Sequence, residues 1–376
     1  MAVKSPDVFY YNFSISNASP HTSGDNQNTQ IVASDTALNN IPLLQNPEDY
    51  YASIVRFSIP GYNIPIAYFL VQTPVVDINK TIYSFTMSYG TFDSAQCFVE
   101  YVPTFEIPNY ILPPSPTPLQ TFSQYYYIYD YSAIIRMWNT TLQTATASLN
   151  TVAGTTFTAP FFFYEATTQL ISLYTKPGEW DGVGAPKLWF NYAMLNYFVG
   201  ASLYSVSSLV PTVLGKDNQY LIENFSNLNV VDVSGVKLLK TSFDYNSYGY
   251  YNFLNSILIT TSMNVQSEQF YINNPQDYQN AQFVNVLADY LPDLATPNGA
   301  GLAQQIFIYN APSLYRVFEF KQKTPLYKVS LTISLVDRYG NVFALGLDKG
   351  ILASFKLMFI KKSVYEAQNI KALRNY

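Results

Sequence analysis

Between residues 327 and 362 the chain reads YKVSLTISLVDRYGNVFALGLDKGILASFKLMFIKK, with apolar residues recurring at every second position. That period belongs to a pleated strand, whose successive side chains point to opposite faces. Val329, Leu331, Ile333 and Leu335 share one face, Phe343, Leu345 and Leu347 the next, and Ile351, Ala353, Phe355, Leu357 and Phe359 the third. Residues 337–341 and 348–350 supply the Gly, Asn and Asp that tight turns use. The expectation is a three-stranded antiparallel meander. Leu352, Met358 and Ile360 make the other face of the last strand apolar too, so both its sides should be covered, unlike a one-sided antiparallel sheet.

The same writing recurs upstream. Residues 8–16, 50–60, 81–90 and 95–103 read as strands, and after Gly154 so do FTAPFFFYEA, QLISLYTK, PKLWFNYA, NQYLIENF, SILITTSMNV and QQIFIYNA. Strand candidates roughly 10–15 residues apart, with Pro, Asn and Gly between them, signal an all-β sandwich or jelly roll. One stretch breaks the period. In residues 125–149, Tyr131, Ile134, Ile135, Trp138 and Leu142 recur at three-and-four spacing, which predicts an amphipathic helix. Tyr125–Tyr127 suit a strand equally, and LNYFVGASLYSVSSLV suits a second, short helix. These signals divide the chain into a first β-rich part (1–120) with a polar arm at 17–40, a helical connector (121–150), a second β-rich jelly-roll part (151–362) and a basic tail (363–376). Six of the 22 prolines lie between Pro103 and Pro118, so 103–118 is read as an extended loop.

Charged residues make up 12% of the 376 residues, about half the usual share, while 34 Tyr and 26 Phe bring the aromatics to 17%. Few charges leave little to keep copies apart in solution, and Tyr and Phe are enriched where protein meets protein. The alternative is that strands use aromatics for their fit to a pleated surface. A net charge of −5 argues against nucleic-acid binding, which needs many Lys and Arg to displace phosphate counterions. The basic residues Lys356, Lys361, Lys362, Lys371 and Arg374 gather at the C-terminal end, and are read as a solvated tail that keeps the last strand from pairing at its edge. Cys97 is the single cysteine, so no disulfide framework or multi-cysteine zinc site is expected, and the residue reads as a small buried hydrophobe. No signal peptide or membrane span is visible, which implies synthesis in a reducing cytoplasm or nucleus.

Catalytic chemistry finds few footholds. His21 is the one histidine and lies in the polar arm, a poor place for an oriented base. Gly215-Lys216 imitates a phosphate loop, but Val210 stands where its first glycine belongs and Asp217 where Ser or Thr belongs. GVGAP at 182–186 lacks the strand-turn-helix frame of a dinucleotide site. No catalytic residue, cofactor or metal is expected. The most site-like cluster is Glu179, Trp180 and Asp181 in KPGEWDGVG, where an indole between carboxylates can stack on a sugar ring; a loop anchored by its one large hydrophobe is the competing reading. For contacts between subunits, the segment FDYNSYGYYNF nominates Tyr245, Tyr248, Tyr250, Tyr251 and Phe253, because tyrosine offers area at low entropic cost.

Several stretches carry a resemblance: NPEDYYASIVRFSIP at 46–60, TIYSFTMSYG, YYYIYDYSAIIRMWNTTL, TTQLISLYTKP, and PSLYRVFEF onward to the final lysine pair. They resemble the virion proteins of polinton-like viruses, adinto-type viruses and virophages, most of all a penton or minor capsid protein. The resemblance implies a non-enzymatic jelly roll that assembles with copies of itself and with other capsid proteins, as a pentamer at the vertices. Length departs from a plain penton, since one jelly roll needs about 150–200 residues. The chain therefore holds either a large inserted or second β-rich domain, or two tandem jelly rolls as in trimeric major capsid proteins. A function of another class, a carbohydrate- or receptor-binding β-module that recognises a host-surface glycan, would rest on GEWDG and YNSYGYY.

Overall fold

The computed structural model describes residues 6–16, 33–36, 42–60, 66–70, 72, 80–102, 125–128, 130–201, 203–205, 218–222, 230–252, 254–266, 268–272, 281–290, 306–310, 317–337, 342–344 and 352–367. His21, the loop 103–118 and the basic residues Lys371 and Arg374 lie outside them. The chain forms two compact units. The first comprises Met1–Ile64, Phe253–Leu294 and Ala303–Tyr376, and the second Pro65–Asn252 with Ala295–Leu302. Their limits differ from the sequence division at 120 and 150, because the second unit is spliced into the first and the helix belongs inside it.

The first unit consists of two antiparallel sheets. One runs in the order Val8–Ser16, Leu352–Lys361, Tyr50–Pro60, Phe318–Phe320, Val265–Gln266, with Ile306–Asn310 also paired to Tyr50–Pro60. The other runs Glu268–Ile272, Ala281–Tyr290, Leu254–Thr261, Lys328–Asp337, Ala33–Thr36, with Val342–Ala344 also on Lys328–Asp337. Followed along the chain, the strands pass back and forth between the sheets in the manner of a jelly roll, and the insertion joins Tyr50–Pro60 to Leu254–Thr261. Alternation explains the core. Ala52, Phe57, Ile59, Phe355, Leu357 and Phe359 of one sheet, and Ile257, Ile259, Leu331, Ile333 and Leu335 of the other, are wholly buried. Across three strands Phe13 stacks on Phe355 at 5.4 Å and Phe355 lies 4.9 Å from Phe57, which stacks on Tyr290 of the facing sheet at 5.7 Å.

The C-terminal meander is only half right. Lys328–Asp337 does form a hairpin with Val342–Ala344, Leu335 opposite Phe343. The third strand instead leaves for the other sheet and is inserted between Val8–Ser16 and Tyr50–Pro60. Its two apolar faces fit that central position. Met358 and Ile360 are buried as expected, while Leu352 is 56% exposed. The basic end likewise does not guard an edge, for the strand it follows has no free edge: Lys361 pairs with Asp7 at 2.8 Å, Lys362 with Glu319, and the Lys356 ammonium sits 4.5 Å over the Tyr10 ring. The polar arm also holds a strand, Ala33–Thr36, paired to Lys328–Asp337.

The second unit has a four-stranded sheet in the order Val230–Val233, Val236–Ser242, Leu170–Thr175, Phe161–Glu165, and a six-stranded one built around Lys80–Tyr89 and Lys187–Asn191. The helix spans Tyr131–Ala153, not 125–149, and Tyr125–Ile128 is a strand paired with Ala67–Leu70. Asp130 fixes the helix start by accepting the Ala133 N–H at 2.6 Å, and Gly154 ends it in the left-handed region at φ 65°. Its threonines are accommodated because Thr141 and Thr146 donate back to the carbonyls of Met137 and Leu142. Trp138 anchors an aromatic core, 4.9 Å from Phe198 and 5.6 Å from both Phe162 and Tyr197. Cys97 is buried, as expected of a small apolar side chain. Of the predicted short helix only Leu195–Phe198 is helical, and Leu203–Ser205 in the same stretch is a strand. Among the described residues the strands that pass back and forth between two sheets lie in the first unit, and the extra length is the insertion that forms the second.

Candidate assembly surface

The segment nominated for contact is tied down by its backbone. Asp244 N–H donates to the Gly200 carbonyl at 2.7 Å, Gly200 N–H to the Ser247 hydroxyl at 3.1 Å, and the Tyr245 hydroxyl to the Val199 carbonyl at 2.7 Å. Glycine is required at 200, since a Cβ there would stand 2.2 Å from the Tyr245 carbonyl oxygen. So anchored, the segment divides its tyrosines. Tyr245 and Tyr250 are 47% and 49% exposed with rings 6.5 Å apart. Tyr251 turns inward, stacks on Tyr197 at 4.7 Å and hydrogen-bonds Tyr131, whose hydroxyl burial pushes far above the usual tyrosine range. Tyr251 is therefore a core residue, not a contact residue. The side chain of Tyr248 and all of Phe253 lie outside the described residues.

The cluster at 179–181 is a closed loop. Trp180 is 3% exposed, and its indole N–H donates to the Thr158 carbonyl at 2.9 Å. Glu179 accepts from the Thr158 N–H at 2.6 Å and the Lys176 ammonium at 2.5 Å, while Asp181 accepts from the Gly178 N–H. Glu179 is spent on Thr158 and Lys176 and Asp181 on Gly178, and the buried ring has no open face for a sugar. The burial of Trp180 is that of a loop anchor and leaves no surface on which a sugar ring could stack. Among the described residues no group of three His, Cys, Asp or Glu side chains is placed to hold a metal.

One exposed element is absent from the sequence reading. Val230–Val233 and Val236–Ser242 form a hairpin closed by Ser234 and Gly235, both at positive φ (53° and 84°). Val233 and Val236 face each other across its tip, 46% and 56% exposed. The signal was present as VVDV-SG-VKLL, two largely apolar runs separated by a two-residue turn. At the tip of residues 181–185, Val183 projects wholly into solvent. These features give the insertion scattered apolar tips suited to contact.

A family model described as Sputnik minor capsid protein V18/19 matches residues 9–361. The chain belongs to this minor capsid family. Relatives agree: protein V18 of Sputnik virophage is 39% identical over 129 residues, 32% of this chain and 74% of its own length. The Sputnik structural protein V19 is 24% identical over 213 residues, 54% of this chain and 94% of its own. A chain in the 3.5 Å cryo-EM structure of the Sputnik virophage superposes with a TM-score of 0.71 at 25% identity, covering 96% of this chain and 99% of that one. The mavirus penton protein shares the fold at TM-score 0.57 and 13% identity, over 95% and 100% of the two chains. The V18/19 family is one of virion structural proteins, so the chain is a capsid component and not an enzyme.

Proposed function

We propose that this minor capsid protein is the vertex subunit of an icosahedral double-stranded DNA virus, closing into a pentamer with copies of itself and seated among other capsid proteins. The observation that carries this is the single jelly roll. A facet subunit of this lineage uses two in tandem, whereas here one jelly roll bears an insertion between Tyr50–Pro60 and Leu254–Thr261. The full-length likeness to the mavirus penton fold points the same way. Side-by-side packing of such subunits buries on the order of 800 Å² per partner in each stable interface. Tyr245 and Tyr250 are the candidate contacts, being exposed on a segment whose backbone is already fixed. The test is imaging of purified particles decorated with an antibody fragment against an epitope placed beside Val183. Density on the five-fold axes is expected; density spread over the facets would contradict the proposal.

A further inference from the structure

Within the second unit the chain enters and leaves at one end of the helix. Ile66 N–H donates to the Ile128 carbonyl at 2.8 Å, just ahead of Tyr131, and Tyr251 lies against Tyr131 at 6.5 Å. The 23 residues from Tyr131 to Ala153 then span about 34 Å, at roughly 1.5 Å per residue. Three turns gather with the helix C-terminus at the far end. Tyr89, before the turn at Gly90 and Thr91, meets Phe157 at 4.9 Å, and Asn150 bonds both the carbonyl and the N–H of Phe157. Glu179 and Trp180 bond Thr158, which brings the turn at 181–185 to the same place. Leu239 pairs with Thr175, so the hairpin tip at Ser234 and Gly235 extends past the sheet end from which Lys176 departs.

Every one of these segments presents an apolar side chain to solvent. Phe92 is 46% exposed, Val152 48%, and Val183, Val233 and Val236 join them. Apolar side chains scattered singly over a surface need no explanation, but five at one end mark a place of contact. Fixed backbone holds the tips out. Val183 lies between Gly182 and Gly184, at φ 131° and 86°. Val233 faces Val236 across a turn in which Asp232 accepts the Gly235 N–H at 2.7 Å.

The form of this end decides what it fits. Its five side chains come from four separate segments, each with polar or glycine neighbours such as Thr91, Asp232 and Ser234, and so make points and not a continuous face. A protein partner needs a continuous complementary surface to reach interior packing density. A fluid lipid interface takes up separated apolar points one by one, each sinking past the headgroups. Charge selects the lipid. Residues 89–93, 150–158, 176–187 and 232–237 together hold three lysines and four carboxylates, a near balance with no pull toward an anionic surface. Among the described residues no helix is long and apolar enough to cross a membrane, so the contact is interfacial. We propose that this end of the insertion docks on a zwitterionic lipid bilayer, with Val183 as its leading point. The proposal stands on the second unit alone and does not depend on the ring.

Co-sedimentation of the full chain with pure phosphatidylcholine vesicles tests this. Binding is expected that high salt leaves unchanged and added phosphatidylserine does not strengthen. Val183→Asp should weaken it by roughly fivefold or more. Val183→Asp combined with Val236→Asp should abolish it, while the melting temperature holds because both side chains are exposed. Tyr192→Asp replaces an exposed ring beyond the other end of Lys187–Asn191 and should bind as the parent does. A parent chain that ignores phosphatidylcholine vesicles would overturn the proposal. If residues 181–185 and 233–236 then exchange hydrogen slowly only in intact particles, the tips belong to another capsid protein. Binding that requires phosphatidylserine and vanishes in salt, or that survives the double substitution, would overturn it as well and place the lipid contact elsewhere.

Discussion

At Gly200 one added methyl group would meet a backbone carbonyl, and that contact holds the aromatic segment in place. Gly200→Ala is expected to destabilise the protein by about 1–3 kcal/mol and to raise hydrogen exchange at residues 244–247, read by thermal melting and exchange mass spectrometry. Trp180 works by filling space. Trp180→Ala should cost about 3 kcal/mol or more in a denaturant titration, with no change on a glycan array; a lost glycan signal would reinstate the sugar reading. The pair Lys240–Glu165 adds a pH-dependent contribution. The Lys240 ammonium holds the Glu165 carboxyl below its usual range, and the same bond raises Lys240. A depressed carboxyl stabilises above its ordinary value and the gain is lost as pH falls through its folded value. Glu165→Gln should therefore lower stability at neutral pH by less than about 1 kcal/mol, and melting curves of variant and parent should converge in acid.

Among elements, the helix and the edges show how much could be read in advance. The stripe Ile134, Ile135, Trp138, Leu142 was legible because helical period survives without knowledge of partners, and all four are buried. Its first turn was not, since Tyr125–Ile128 has strand chemistry and the boundary is set by Asp130 capping Ala133. The strands of the jelly roll were legible from alternation, but their partners were not. Alternation fixes which face is buried and leaves the neighbour along the hydrogen-bonding direction open, so Leu352–Lys361 was assigned to the nearest hairpin when it belongs between Val8–Ser16 and Tyr50–Pro60. The candidate contacts were half legible for the same reason: a run of tyrosines does not reveal that Tyr251 faces Tyr197 while Tyr245 faces solvent. Asn139 gives this scale its own test. Asn139→Ala removes both bonds to Phe162 and uncovers the edge of Phe161–Glu165. It should cost about 1–3 kcal/mol and, in turbidity measurements, make the variant aggregate where the parent stays clear.

For the molecule as a whole, the low charge and high aromatic content have two destinations. Many rings fill the cores, as around Trp138 and along Phe13, Phe355 and Phe57. A smaller set, including Tyr10, Tyr192 and Tyr245, remains outside on a surface with little charge to repel a neighbour. On the proposed reading, one jelly roll interrupted by one insertion serves a vertex ring and not a facet trimer. Native mass spectrometry of the purified full chain across a concentration series tests that claim most directly. The account predicts a pentamer that dissociates to monomers on dilution; a trimer, or a monomer persisting at the highest concentration, would contradict it.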